Sequence, residues 1–94
     1  REALATRAVS LKEANWLGDE TGLDAAAAAG RSVLARVRST AEPVIARLAV
    51  EAGEPRVVFA EPEYGVSPGQ ACVLYAPEDP DRVLGGGFIA SALK

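Results

Sequence analysis

Residues 32–38, SVLARVR, alternate strictly: Val33, Ala35 and Val37 point one way, and Leu34, Arg36 and Arg38 the other. That period of two predicts a β-strand, and five further segments carry the same signal in shorter or looser form. Residues 4–11, LATRAVSL, place Val9 and Leu11 on one face and run towards Asn15-Trp16-Leu17. Residues 44–51, VIARLAVE, read as the antiparallel partner of 32–38, joined to it by Ser39 to Pro43. Residues 56–60, 70–76 and 82–90 complete the set. Turn chemistry separates them at Ala52-Gly53-Glu54-Pro55, at Pro62 to Gly69, and at Pro77 to Asp81. Residues 23–29, LDAAAAA, favour helix, with Asp24 as a capping residue and Gly30 as the stop. Seven residues are too few for an independent helix, so the segment is expected as a short helical turn covering one end of the domain.

Parallel strands need crossover connections of a dozen or more residues, and no amphipathic run of that length separates these strands. The chain is therefore expected to be all-β: a small, six-stranded, mostly antiparallel β-barrel with a short helical turn. At 94 residues it forms a single domain over residues 1–94. The hydrophobic fraction of 49% is globular. Much of it is alanine, so the core must rest on Val, Leu and Ile, with Trp16, Phe59 and Phe88 as the larger pieces.

Composition narrows the chemistry. There is no histidine, which removes Ser-His-Asp and Cys-His catalysis and imidazole metal ligands. One cysteine, Cys72, allows no internal disulfide and has no partner to resolve one. It sits in an apolar strand and reads as a small buried hydrophobe. No apolar run is long enough to span a bilayer, and no secretory leader opens the chain, so a cytoplasmic setting is expected. The first residue is Arg1, not Met, as expected of a segment of a longer chain and equally of a processed or incompletely ordered start.

Four features invite a functional reading. Gly85-Gly86-Gly87 with Ala90 fits G-x-G-x-x-A, but a dinucleotide fingerprint needs a helix after it, and only Phe88 to Lys94 follow. A strand whose backbone approaches its neighbours closely explains the glycines better. Glu61 and Glu63 flank Pro62 and suggest acid–base chemistry, although carboxylates beside a proline turn are ordinarily solvated. Trp16 can stack on a base or plug the core, and the core is the commoner use of a lone tryptophan. The arginines say more. The net charge is −3, which opposes autonomous RNA binding, yet between Arg31 and Arg47 four arginines face one acid, Glu42. Arg36 and Arg38 share one strand face and are the candidate nucleic-acid-binding residues. The alternative is an ordinary solvated strand face.

The segment Val57-Val58-Phe59-Ala60-Glu61-Pro62-Glu63-Tyr64-Gly65-Val66-Ser67-Pro68-Gly69-Gln70-Ala71-Cys72-Val73-Leu74-Tyr75 resembles the C-terminal signature of the tRNA-specific 2-thiouridylases: an apolar strand, E-P, a V-x-P-G-Q turn, and an apolar strand ending in Tyr. Val83-Leu84-Gly85-Gly86-Gly87-Phe88-Ile89 resembles that family's closing V-L-G-G-G-x-I, and Asn15-Trp16-Leu17 its N-W-L. Val37-Arg38 falls where the family has its basic strand. The blocks come in the family's order across nearly the whole chain.

The resemblance implies a C-terminal β-barrel similar to the second domain of translation elongation factors. It also implies an enzyme that makes 2-thiouridine at the tRNA wobble position. In such an enzyme an N-terminal PP-loop domain binds ATP and adenylates the uracil carbonyl oxygen. One cysteine carries sulfur as a persulfide, and a second assists its release. These 94 residues contain no S-G-G-x-D-S motif and no cysteine pair, so neither cysteine role passes to Cys72. The expectation is an inactive accessory domain without catalytic residues, cofactor or metal of its own. It would help to hold tRNA beside its sister domains, and a sulfur-donor protein is a further possible partner. The rival expectation is an interaction barrel that docks its sister domains or a sulfur donor and touches no RNA. No membrane association is expected.

Overall fold

The computed structural model describes residues 5–37 and 42–93. Six strands and one helix follow one another as β1 (Thr6–Trp16), α1 (Leu23–Ala28), β2 (Ser32–Arg36), β3 (Val44–Glu51), β4 (Glu54–Glu63), β5 (Ala71–Ala76) and β6 (Asp79–Leu93). They close into a barrel in the order β1-β4-β3-β2-β5-β6. Every neighbouring pair is antiparallel, so the expectation of an all-β, six-stranded barrel holds. Hairpins join β3 to β4 and β5 to β6. The links from β1 to β2 and from β4 to β5 instead run between strands on opposite sides of the barrel, one at each mouth.

The β3–β4 turn is tighter than its composition suggested. Ala52 and Gly53, at φ 53° and 77°, form a two-residue turn of the kind that matches strand twist. Glu54 and Pro55 therefore belong to β4, opposite Glu51 and Val50. The helix sits in the β1–β2 link and packs against β3, β4 and β1. Its buried residues are Ala26 and Ala27, whose small side chains permit a close seat over the mouth. Asp24 does not cap it. The N-cap position is Gly22, with no side-chain hydrogen bond, and Asp24 lies exposed in the first turn. The stop at Gly30 is as expected: Gly30 N–H donates to the Ala27 carbonyl and Arg31 N–H to that of Ala26.

The core is built by the inward positions of every strand. Val9, Val33, Ala35, Val37, Leu48, Val57, Phe59, Cys72, Leu74, Leu84 and Ile89 are all buried. Trp16 is half-buried at the margin of this cluster. Phe88 departs from expectation: its side chain faces outward and is 43% exposed. The register of β6 slips against both β1 and β5, so Leu84 and Ile89 both point inward although an odd number of positions separates them. Phe88, next to Ile89, is consequently outside.

The three glycines lie where β6 is squeezed between its neighbours. A side chain at Gly86 would collide with the Cys72 carbonyl oxygen and one at Gly85 with that of Asn15. At Gly87 it would meet the Lys12 carbonyl at 2.8 Å. Close backbone approach, not phosphate binding, explains the run. Across the other mouth, the Gln70 side chain holds the β4–β5 link: Oε1 accepts from Ser67 N–H, and Nε2 donates to the Gly65 carbonyl, each at 3.3 Å.

Candidate nucleic-acid interface

Arg36 is the last residue of β2, and alternation turns its side chain outward between β3 and β5. Its register partner on β5 is Val73, and Tyr75 lies diagonally across from it, opposite Leu34. The guanidinium carbon stands 6.0 Å from the centroid of the Tyr75 ring, within reach of a cation–π contact. Arg36 is half-buried. Its Nε is shielded from solvent and has no hydrogen-bond partner among the described residues. Arg38 lies outside the described residues.

The other arginines of the basic stretch divide into two kinds. Arg31 is engaged: it donates to both oxygens of Glu20, at 3.3 and 3.4 Å, and stands 6.0 Å over the Trp16 ring. Trp16 Nε1 donates to the same carboxylate at 3.3 Å, so tryptophan, glutamate and arginine clasp the β1–β2 link to the start of β2. Glu20 is held below the usual carboxylate range, first by a backbone hydrogen bond and then by Arg31 and Trp16. This assigns Trp16 to the edge of the core rather than to a base-stacking platform.

Arg47 is exposed on β3, opposite Ser32. Neither Arg36 nor Arg47 forms an ion pair among the described residues, whereas Arg7, Arg31, Arg56 and Arg82 do. Ser32 and Arg36 are four residues apart on one strand, so the backbone positions of Arg36 and Arg47 are separated by about 13 Å along the strand direction. Between them Leu34 faces Ile45, which is 68% exposed. The surface thus offers two positive charges, an aromatic ring and an apolar strip. Such a combination can follow a polyanion and tolerate stacked bases. Tyr75 was not visible as part of it from the sequence, because nothing local indicates that β5 pairs with β2.

The other candidates are Cys72, Glu61 and Glu63. Cys72 is buried, and desolvation pushes its thiol up to about 12, which keeps it protonated and unreactive. Glu61 and Glu63 lie at the end of β4, and neither carboxylate is hydrogen-bonded or ion-paired among the described residues. Among those residues no group of His, Cys, Asp and Glu is arranged to hold a metal ion. No described helix is long and apolar enough to cross a membrane.

Comparison with known proteins gives this geometry its context. The model of the aminomethyltransferase beta-barrel domain family matches residues 6–89, which includes all but the last few residues of β6. The chain belongs to that family. The proteins it resembles are named as tRNA-specific 2-thiouridylases (MnmA). That of Caulobacter sp. (strain K31) is 66% identical over 95 residues, covering 97% of this chain and 23% of the relative. That of Caulobacter vibrioides is 62% identical over 94 residues, covering 100% of this chain and 24% of the relative. In the Maricaulis maris protein the match is 54% over 91 residues, 97% of this chain and 21% of the relative. The chain spans about a quarter of the length of these curated relatives and corresponds to their C-terminal part. The family resemblance read from the E-P, V-x-P-G-Q and V-L-G-G-G-x-I blocks is therefore borne out.

Proposed function

We propose that these residues form the C-terminal barrel of a tRNA-specific 2-thiouridylase acting in the cytoplasm. In this reading the face carrying Arg36, Tyr75 and Arg47 helps to hold the tRNA. The identity to named thiouridylases over essentially the whole chain supports the context. The ATP-dependent activation of the uridine and the sulfur relay, with any sulfur-donor protein that feeds it, belong to the rest of such an enzyme. The barrel's share is positional: it supplies binding energy and orientation to a reaction performed elsewhere.

One observation carries the RNA-holding role. Arg36 is supported by the Tyr75 ring and has no carboxylate partner among the described residues. An arginine already ordered by stacking loses little freedom when it binds a phosphate, and without an internal acid it has no competing contact to give up. Arg47 extends the same wall, and Arg38, two positions beyond Arg36 in the sequence, is proposed to contribute as well.

The test is tRNA binding by the full-length enzyme across a salt series. Arg36→Ala should weaken binding and reduce the slope of log affinity against log salt by about one, the signature of one lost phosphate contact. Tyr75→Leu retains the charge but removes its support, and should weaken binding without that change in slope. Turnover at saturating tRNA should be preserved in both. An Arg36→Ala enzyme with the parent's affinity and salt slope would overturn the RNA-holding role.

A further inference from the structure

A second surface lies across β1, β5 and β6. Leu17, Val83 and Phe88 are 63%, 43% and 43% exposed, and they are three of the six large hydrophobic side chains exposed on the described barrel. All three line one shallow depression of about 300 Å³, together with Val73, and Gly85, Gly86 and Gly87 form its floor. The floor is bare by necessity, because β6 is pressed too closely against β1 and β5 there to carry side chains. Gly85 and Gly86 are paired on both sides, with β1 and with β5, and Gly87 is paired with Cys72, so most of the floor's backbone is engaged and the walls are largely apolar.

Charge separates this surface from the arginine face. Its one charged lining residue is Glu13, and Lys12, in register with Phe88, stands at its margin. A face with one acid and one base has no net attraction for a phosphate backbone. Its size also speaks against a second copy of the chain. A stable association between separate molecules buries at least about 1,000 Å², more than a handful of side chains around a shallow dish can supply. A partner on the same polypeptide is subject to a weaker requirement, since tethering gives effective concentrations in the millimolar range. Such a partner exists if the chain is read as a thiouridylase, because in the Caulobacter sp. relative the match covers 23% of the protein, its C-terminal part.

We propose that the apolar depression formed by Leu17, Val73, Val83 and Phe88 is where the barrel docks an apolar segment from the preceding part of its own polypeptide. The inference rests on the thiouridylase reading. The glycine run then has a second effect besides close strand packing: it opens a seat into which a neighbouring side chain fits between Phe88 and Leu17.

Hydroxyl-radical footprinting of the full-length enzyme without tRNA tests this. Ile45 and Tyr64, 68% and 55% exposed, serve as references within the same molecule. After correction for intrinsic reactivity, Leu17 and Phe88 should be labelled at least fivefold more slowly than these references. Phe88→Glu, a change at a solvent-facing position of the barrel, should raise labelling of Leu17 and Val83 at least threefold. Labelling of Leu17 and Phe88 at the reference rate would overturn the proposal. So would protection that appears only with tRNA, or protection that grows with protein concentration, which would indicate RNA or a second copy. Thiolation of tRNA by the same preparation reports separately on the thiouridylase reading, so either can fail alone.

Discussion

Replacing Gly86 by alanine adds one methyl group, and its consequence can be worked out from the contacts it would make. The new Cβ would lie 3.2 Å from the Val73 Cα and under 3.0 Å from the Cys72 carbonyl oxygen. Both are backbone atoms of β5, held in register with Gly86 and Gly87, so no rotamer change relieves the clash. The β5–β6 seam must open by several tenths of an ångström. Overpacking of this kind costs about 1–3 kcal/mol, with the upper half expected where backbone must move. Alanine also restricts the unfolded chain, which returns about 0.5 kcal/mol. A net loss of about 2 kcal/mol corresponds to a fall in melting temperature of roughly 8–16 °C for a domain of this size. The matched control is Gly22→Ala, where a Cβ meets nothing within 4 Å and φ is 177°, in the extended region open to any residue. That variant should lose at most about 1 kcal/mol, from the N-cap preference for glycine over alanine and not from a clash. Thermal melts followed by far-ultraviolet circular dichroism measure both. A Gly86→Ala protein melting within about 2 °C of the parent would show that the seam is looser than these contacts require.

Other consequences can be checked as directly. With its thiol pushed up to about 12, Cys72 has on the order of one thiolate in ten thousand molecules at pH 8, so alkylation under native conditions should proceed only as fast as the barrel opens. Rapid labelling of folded protein would contradict this. Cys72→Ala in the full-length enzyme should cost about 1 kcal/mol of stability and leave thiolation chemistry intact. Loss of turnover in a folded variant would refute the structural role assigned to this residue. The Glu51 carboxylate is lowered first by its hydrogen bond to Arg7, then by the charges of Arg7, Arg56 and Arg47. Because its folded value lies below the ordinary 4.5, its contribution is fully present above that pH and is lost as pH falls through the depressed value. Melting temperature should therefore change little between pH 6 and 8, where no histidine titrates, and fall in acid. Glu51→Gln should reduce the acid-side slope, and an unchanged slope would show that the pair contributes nothing.

Much of the architecture was legible because it is local. Period-two alternation at 32–38 and 44–51 marks β2 and β3 within two residues of their observed ends. The glycine run announced close backbone approach, and the V-x-P-G-Q block announced a turn. What remained hidden depends on partners distant in sequence. The pairing of β1 with β4 and of β2 with β5 is decided by closure of the barrel, and with it the meeting of Arg36 and Tyr75. Phe88 was misplaced because it was assigned to the core as a large apolar residue, whereas the register slips that turn it outward are imposed only by the neighbouring strands. Likewise, Arg31 looked equivalent to Arg36 in composition, but Glu20 reaches it from the far side of the β1–β2 link.

The position of β6 in the chain has a consequence for biosynthesis. It is the longest strand, at 15 residues, and it zips together β1 and β5, the first and fifth strands of the barrel. Until the ribosome has delivered it, both of those strands must wait with unpaired backbone along one side, and the inner layer stays open to solvent. Closure then requires residues such as Ala8 and Leu93, near opposite ends of the described chain, to find each other. Non-local pairing of this kind folds slowly, and an exposed strand margin invites pairing with other nascent chains. A ribosome stall or frameshift that removed β6 would therefore yield an aggregation-prone product rather than a slightly smaller barrel. Chaperone dependence should be concentrated in the interval before the glycine run emerges.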